Sequence, residues 1–136
     1  QFSSEGLGRA ERLGEGGFDE ITPCGLTTIA DVTQAGIETW TFDPADVGIA
    51  RAPASALAGA DATENAGIIR RIFEGELGAP RDAVVLNAAA ALAVCGQADD
   101  IASGVALAAE AIDSGRAQAV LQAVATAAQS AAEGAA

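Results

Sequence analysis

The chain has 136 residues, half of them apolar but only 4% aromatic, and a formal charge of -12 from 7 basic against 19 acidic residues. That length suits a single domain, or part of one, with a core of its own. The excess of negative charge argues against nucleic acid or anionic membrane as partners; every basic residue is an arginine, and with histidine absent a histidine-based acid or base is excluded. Alanine supplies much of the apolar fraction, so the expected core is one of helices in close approach through small contacts. An acidic, lysine-free composition arises from adaptation to high salt or from GC-rich coding bias, and the second is the simpler reading.

Residues 1–16 are rich in glycine and alternating charge and read as an irregular N-terminal tail. The run Gly16-Gly17-Phe18-Asp19-Glu20-Ile21-Thr22 then places two adjacent carboxylates behind a glycine pair. A magnesium ion that also carries substrate phosphates can use such a pair, because it keeps most of its waters and takes only one or two protein carboxylates. Taken alone, Asp19 and Glu20 are more simply a solvated acidic turn. They are nevertheless the candidate metal ligands. Cys24, between Pro23 and Gly25, has no adjacent cation to activate its thiol and reads as a small structural residue.

Between residues 27 and 42, β-branched alternation puts Ile29, Asp31 and Thr33 on one face and Ala30 and Val32 on the other. The pattern predicts a hairpin over about 27–42 that turns near Gln34-Ala35-Gly36. Asp43-Pro44 and Ala52-Pro53 then interrupt regular structure and mark a connector.

Helices are expected at about 62–75, 82–95, 99–114 and 116–126, followed by an alanine-rich tail over 126–136. Asp61-Ala62-Thr63-Glu64 has capping-box spacing ahead of an Ile68, Ile69, Ile72 and Phe73 stripe. Acidic residues in that first turn argue against using it to hold an anion. The second helix is apolar nearly all round and should be the central buried one. Within it Asn87 is an amide whose burial without a partner costs about 1–3 kcal/mol, so it either bonds neighbouring backbone or orients an active-site loop. Asp99 or Asp100 starts a third helix with Ile101, Val105, Ala108 and Ile112 on one face, and Val120, Leu121 and Val124 mark a fourth. No fixed-period repeat, no run of roughly 18 apolar residues and no Cys/His zinc cluster is present, so a soluble cytoplasmic protein with reduced thiols is expected.

Six ordered blocks carry a family resemblance. They are Gly17-Phe18-Asp19-Glu20-Ile21 with Gly25 and Thr27; the hairpin; Asp43-Pro44-Ala45-Asp46-Val47-Gly48-Ile49; Gly59-Ala60-Asp61-Ala62-Thr63-Glu64-Asn65-Ala66; Asn87-Ala88-Ala89-Ala90-Ala91-Leu92; and Gly104-Val105-Ala106-Leu107-Ala108 leading to Ala111-Ile112-Asp113-Ser114-Gly115. Together they resemble the C-terminal part of the α/β domain of the anthranilate phosphoribosyltransferases. The resemblance implies an α/β fold class, the C-terminal part of a nucleoside-phosphorylase/phosphoribosyltransferase-type domain, mainly helical with a β-hairpin, over residues 17–125. Nucleoside phosphorylases share that architecture but fit the blocks less well.

The resemblance also implies a role in tryptophan biosynthesis: transfer of a phosphoribosyl group from phosphoribosyl pyrophosphate to anthranilate, with Asp19 and Glu20 holding Mg2+ beside the donor's pyrophosphate. The family's Gly-Thr-Gly-Gly-Asp phosphate loop and Lys-His-Gly-Asn segment have no counterpart here, and residues 7–13 are too polar for the buried parallel strand that enters the family's site. The expectation is a chain with no catalytic or cofactor-binding residues beyond the metal pair, inactive alone. It would meet phosphoribosyl pyrophosphate through magnesium once a missing half, a partner chain or a homo-oligomer completes the site. The alternative is a truncated, non-catalytic relative acting as a structural or interaction subunit that buries a sheet edge and apolar helix faces against a partner.

Overall fold

Three antiparallel strands are followed by four helices in the computed structural model, which describes residues 11–14 and 17–134. The strands β1 (Glu11–Gly14), β2 (Thr27–Thr33) and β3 (Gly36–Phe42) form one sheet in the order β1-β2-β3. β2 and β3 make the expected hairpin, from Thr27 opposite Phe42 to Thr33 opposite Gly36. At the turn the Thr33 hydroxyl accepts from the Ala35 N–H at 3.2 Å and donates to the Gly36 carbonyl at 3.3 Å. Gly36, at φ +139°, takes a conformation that side chains disfavour.

β1 corrects the expected irregular tail over 1–16: Glu11–Gly14 is a strand, running antiparallel to β2 with Glu11 opposite Ala30 and Gly14 opposite Thr27. Four residues carry too little periodicity to announce a strand. The exposed edge of β2 supplies the pairing that makes one. Residues 1–10, 15 and 16 of that expected tail lie outside the described residues.

Only the base of the hairpin reaches the core. Thr27, Ile29 and Phe42 are buried, whereas Ile37 near the turn is 69% exposed. Trp40 meets Phe42 edge-on at 6.2 Å between ring centroids.

The helices are α1 (Ala62–Phe73), α2 (Ala79–Val94), α3 (Ile101–Asp113) and α4 (Arg116–Gly134). Asp61 caps α1 by accepting from the Glu64 N–H at 2.9 Å. The reciprocal capping box is found at α3, where Asp100 accepts from the Ser103 N–H at 2.7 Å and the Ser103 hydroxyl accepts from the Asp100 N–H at 3.2 Å. α2 starts earlier than expected because Pro80, with its fixed φ, suits a first helical turn. α4 does not give way to a tail near Thr126 but continues to Gly134. Alanine is the strongest helix former, and the Thr126 and Ser130 hydroxyls bond back to carbonyls one turn earlier, at 2.9 and 3.1 Å.

α2 joins two apolar clusters. Leu86, Ala89 and Ala90 pack with Ile21, Ile29, Phe42 and Ile101, while Val85 packs with Ile72, Ala108 and Ile112. α3 crosses α2 so closely that a Cβ on Gly104 would stand 2.6 Å from the Ala89 carbonyl oxygen. Arg81, 7% exposed, ties the start of α2 to the end of α3 through an ion pair with Asp113 at 2.9 Å. α2 is central but not buried all round, because Val84 and Val94 on its outer side are 38% and 39% exposed.

Candidate functional site

Asp19 and Glu20 are both exposed, and the three residues that follow them are buried. Ile21 is 1% exposed and lies in the core cluster with Leu86 and Ala90. Its N–H donates to Asn87 Oδ1 at 3.1 Å and its carbonyl accepts from Asn87 Nδ2 at 2.8 Å. The same Nδ2 donates to the Ala83 carbonyl at 2.9 Å, one helical turn back on α2. At the next residue the Thr22 N–H approaches Thr27 Oγ1 at 3.4 Å, and the Thr22 hydroxyl accepts from the Cys24 N–H at 3.0 Å. The Pro23 carbonyl then accepts from the Ala52 N–H at 3.0 Å. Three consecutive residues are thus fastened to a helix, a strand and a loop, and the carboxylate pair heads a segment whose path is set by the core.

Glu20 also lines a cleft of about 340 Å³ whose other walls include Gly59, Asn65, Ile68 and Val84. The far wall is held by a second amide, since the Ala60 N–H donates to Asn65 Oδ1 at 3.2 Å. Gly59 must lack a side chain there, because the Asn65 carboxamide occupies the space a Cβ would need. In the Gly59 block Asp61 caps the helix and Asn65 bonds the adjoining turn at Ala60.

The described ion pairs, Arg51–Asp43, Arg71–Glu76, Arg81–Asp113 and Arg116–Glu110, engage other acids. Among the described residues no group of three or more His, Cys, Asp or Glu side chains gathers as a self-sufficient metal cage. Two adjacent, exposed carboxylates ahead of an anchored segment nonetheless fit a hard cation that brings most of its ligands with it as water and phosphate oxygen.

The two predicted ligands, neighbours in the chain, are both exposed. Of the two readings its sequence position allows, Asn87 takes the backbone-bonding one, at Ala83 on its own helix and at Ile21, the residue that follows the two acids. Thr22 and Thr27, each at most 2% exposed, were not legible as parts of this anchor. The Thr-Pro-Cys-Gly turn signal at residues 22–25 points to the place but not to the partners.

Residues 8–118 match the glycosyl transferase family, a/b domain. The anthranilate phosphoribosyltransferase of Geotalea uraniireducens is 49% identical over 109 residues, which cover 80% of this chain and 31% of that protein. The chain thus spans about a third of the length of the curated relatives it matches. The crystal structure of the anthranilate phosphoribosyltransferase from Thermus thermophilus superposes with a TM-score of 0.76 at 36% identity, over 85% of this chain and 34% of that one. A variant of the Saccharomyces cerevisiae enzyme with Mg bound superposes with a TM-score of 0.75 at 25% identity, over the same shares.

Proposed function

The chain belongs to the glycosyl transferase family, through its α/β domain, and from that membership we propose that it supplies the magnesium-holding corner of a phosphoribosyl-transfer site like that of its anthranilate phosphoribosyltransferase relatives. The observation that carries this reading is the exposed Asp19–Glu20 pair at the head of a segment anchored at Ile21, Thr22 and Pro23. When bound, magnesium would offset the charge of the pyrophosphate leaving group as phosphoribosyl pyrophosphate reacts with anthranilate. Asp19 and Glu20 would contribute oxygen donors, Glu20 from the wall of the cleft and Asp19 from the exposed position before it. The phosphate loop and acceptor pocket are supplied from outside the described residues, so this chain by itself is not expected to turn over. Cys24 and Cys95 are unbridged, in keeping with work in the reducing cytoplasm.

Calorimetric titration with Mg2+ and phosphoribosyl pyrophosphate tests the reading on the chain, on Asp19→Ala and on Glu20→Ala. A metal-dependent heat in the parent that weakens by about tenfold or more in affinity in either variant is expected. Identical isotherms for all three would sink the proposal.

A second reading, a non-catalytic interaction subunit, is favoured by one observation. Val84, Val94, Leu107, Val120 and Val124 leave apolar side chains 38–63% exposed across α2, α3 and α4.

A further inference from the structure

We infer that Asn87 is the positioning residue for the Asp19–Glu20 pair, an inference that rests on those carboxylates holding the cation. Asn87 accepts from the N–H of Ile21 and donates to the carbonyl of the same residue, at 3.1 and 2.8 Å. The bond to the Ala83 carbonyl fixes which end of the carboxamide is which, because a donor must face two carbonyls at once. Oδ1 is thereby left for the Ile21 N–H. The Ile21 side chain is buried in the same core cluster as Leu86 and Ala90, which flank Asn87 on α2. The backbone of Ile21 is thus held by α2 and its side chain lies in the core cluster to which α2 contributes Leu86, Ala89 and Ala90, and Glu20 is its immediate chain neighbour, with Cα atoms about 3.8 Å apart.

The carboxylates consequently keep their own torsions but not the freedom of a loose turn. Two carboxylates on backbone that is already ordered would meet a cation without the cost of ordering that backbone first. Groups standing behind metal ligands in this way typically change affinity by about 10–100-fold when replaced. Asn is the side chain for the task because it offers both a donor and an acceptor at one reach. An aspartate in its place would be the same size but would turn an acceptor toward two carbonyls.

The test is a titration of the full chain with Mn2+ as a spectroscopic stand-in for Mg2+, with pyrophosphate present, followed by electron paramagnetic resonance. Asn87→Asp is expected to lose affinity by about tenfold or more. The substitution adds a negative charge near the cation, which by itself would tighten binding, so a loss reports lost positioning. Ile112→Ala opens the other core cluster without touching Ile21; it is destabilised in urea but keeps the parent's affinity. An Asn87→Asp protein that binds Mn2+ as tightly as the parent overturns the inference, as does an equal loss in Ile112→Ala. If Asn87→Asp does not fold, Asn87→Gln carries the same test, with weaker binding in support and unchanged binding against. The Asp19→Ala, Glu20→Ala double variant separates the two claims. Binding that survives in that variant overturns the metal reading itself, whereas binding lost there but kept in Asn87→Asp overturns only the role of Asn87.

Discussion

Asp100 and Asp43 show how much single carboxylates away from the candidate site do for this fold. The Ser103 N–H and hydroxyl bond the charged form of Asp100 and hold its carboxyl below the ordinary value of 3.8. The Arg51 guanidinium, with help from the Ala45 N–H, does the same for Asp43. A carboxyl depressed on folding gives a contribution that is complete above its unfolded value and is lost as pH falls through its folded value. Asp82 works in the opposite sense. Burial pushes it up against the pull of Arg81, so folding gains as pH falls through its raised value. With two depressed acids against one raised among the described residues, urea midpoints are expected to hold from about pH 7 to about pH 4 and then decline. Asn at position 100 still caps a helix but does not titrate, so Asp100→Asn should show a shallower decline, and an unchanged acid limb would contradict the assignment. Asp61 was legible as a cap, and Asp100 as one of two candidates with Asp99, because the bonding partner of each lies three residues away. The partner of Asn87 is 66 residues distant, so the sequence could say only that the amide needed one.

The crossing of α2 and α3 turns on backbone rather than side-chain contact. At Gly104 a methyl group would stand 2.6 Å from the Ala89 carbonyl oxygen and 2.9 Å from its Cα, and a carbonyl cannot rotate away as the end of a side chain can. Gly104→Ala is therefore expected to destabilise by about 1–3 kcal/mol through overpacking, although alanine is otherwise the better helix former. A lower urea midpoint at unchanged slope is the signature, and a midpoint at or above the parent's would mean the helices separate at little cost. The sequence shows why such an approach is available, since α2 contains Ala88-Ala89-Ala90-Ala91, but not which glycine meets which alanine. The hairpin and four helices could be read because turn residues, caps and apolar stripes act within a few residues. β1 could not, because its four residues become a strand only against the edge of β2. The end of α4 was misplaced for a related reason. From Thr126 onward no apolar stripe marks a buried face, and in the structure none is needed, because no residue of α4 is buried.

Across the whole molecule, charge and exposed apolar surface pull in opposite directions. Val120 and Val124 are 63% and 60% exposed on α4, and Val84 and Val94 on α2 are exposed by more than a third. An apolar groove lined by Phe73, Val84, Ala88, Leu92 and Ile112 runs between the helices, about 560 Å³ in volume. Surfaces of this kind favour association, while a net charge of -12 keeps copies apart. The range of that repulsion is set by salt, from about 30 Å at 0.01 M to about 3 Å at 1 M. Light scattering should accordingly find the mean mass rising as salt is raised across that interval, the reverse of what an association held by ion pairs would do. Replacing Val120 and Val124 together by Gln removes apolar area without changing charge or opening the core, so the stability cost should stay near 0.5 kcal/mol per site or below. The double variant should show a smaller rise in mass with salt. A parent chain that stays monomeric at every salt concentration, with one cooperative unfolding transition, would count against the interaction-subunit reading and leave the metal-site reading to stand on its own titration.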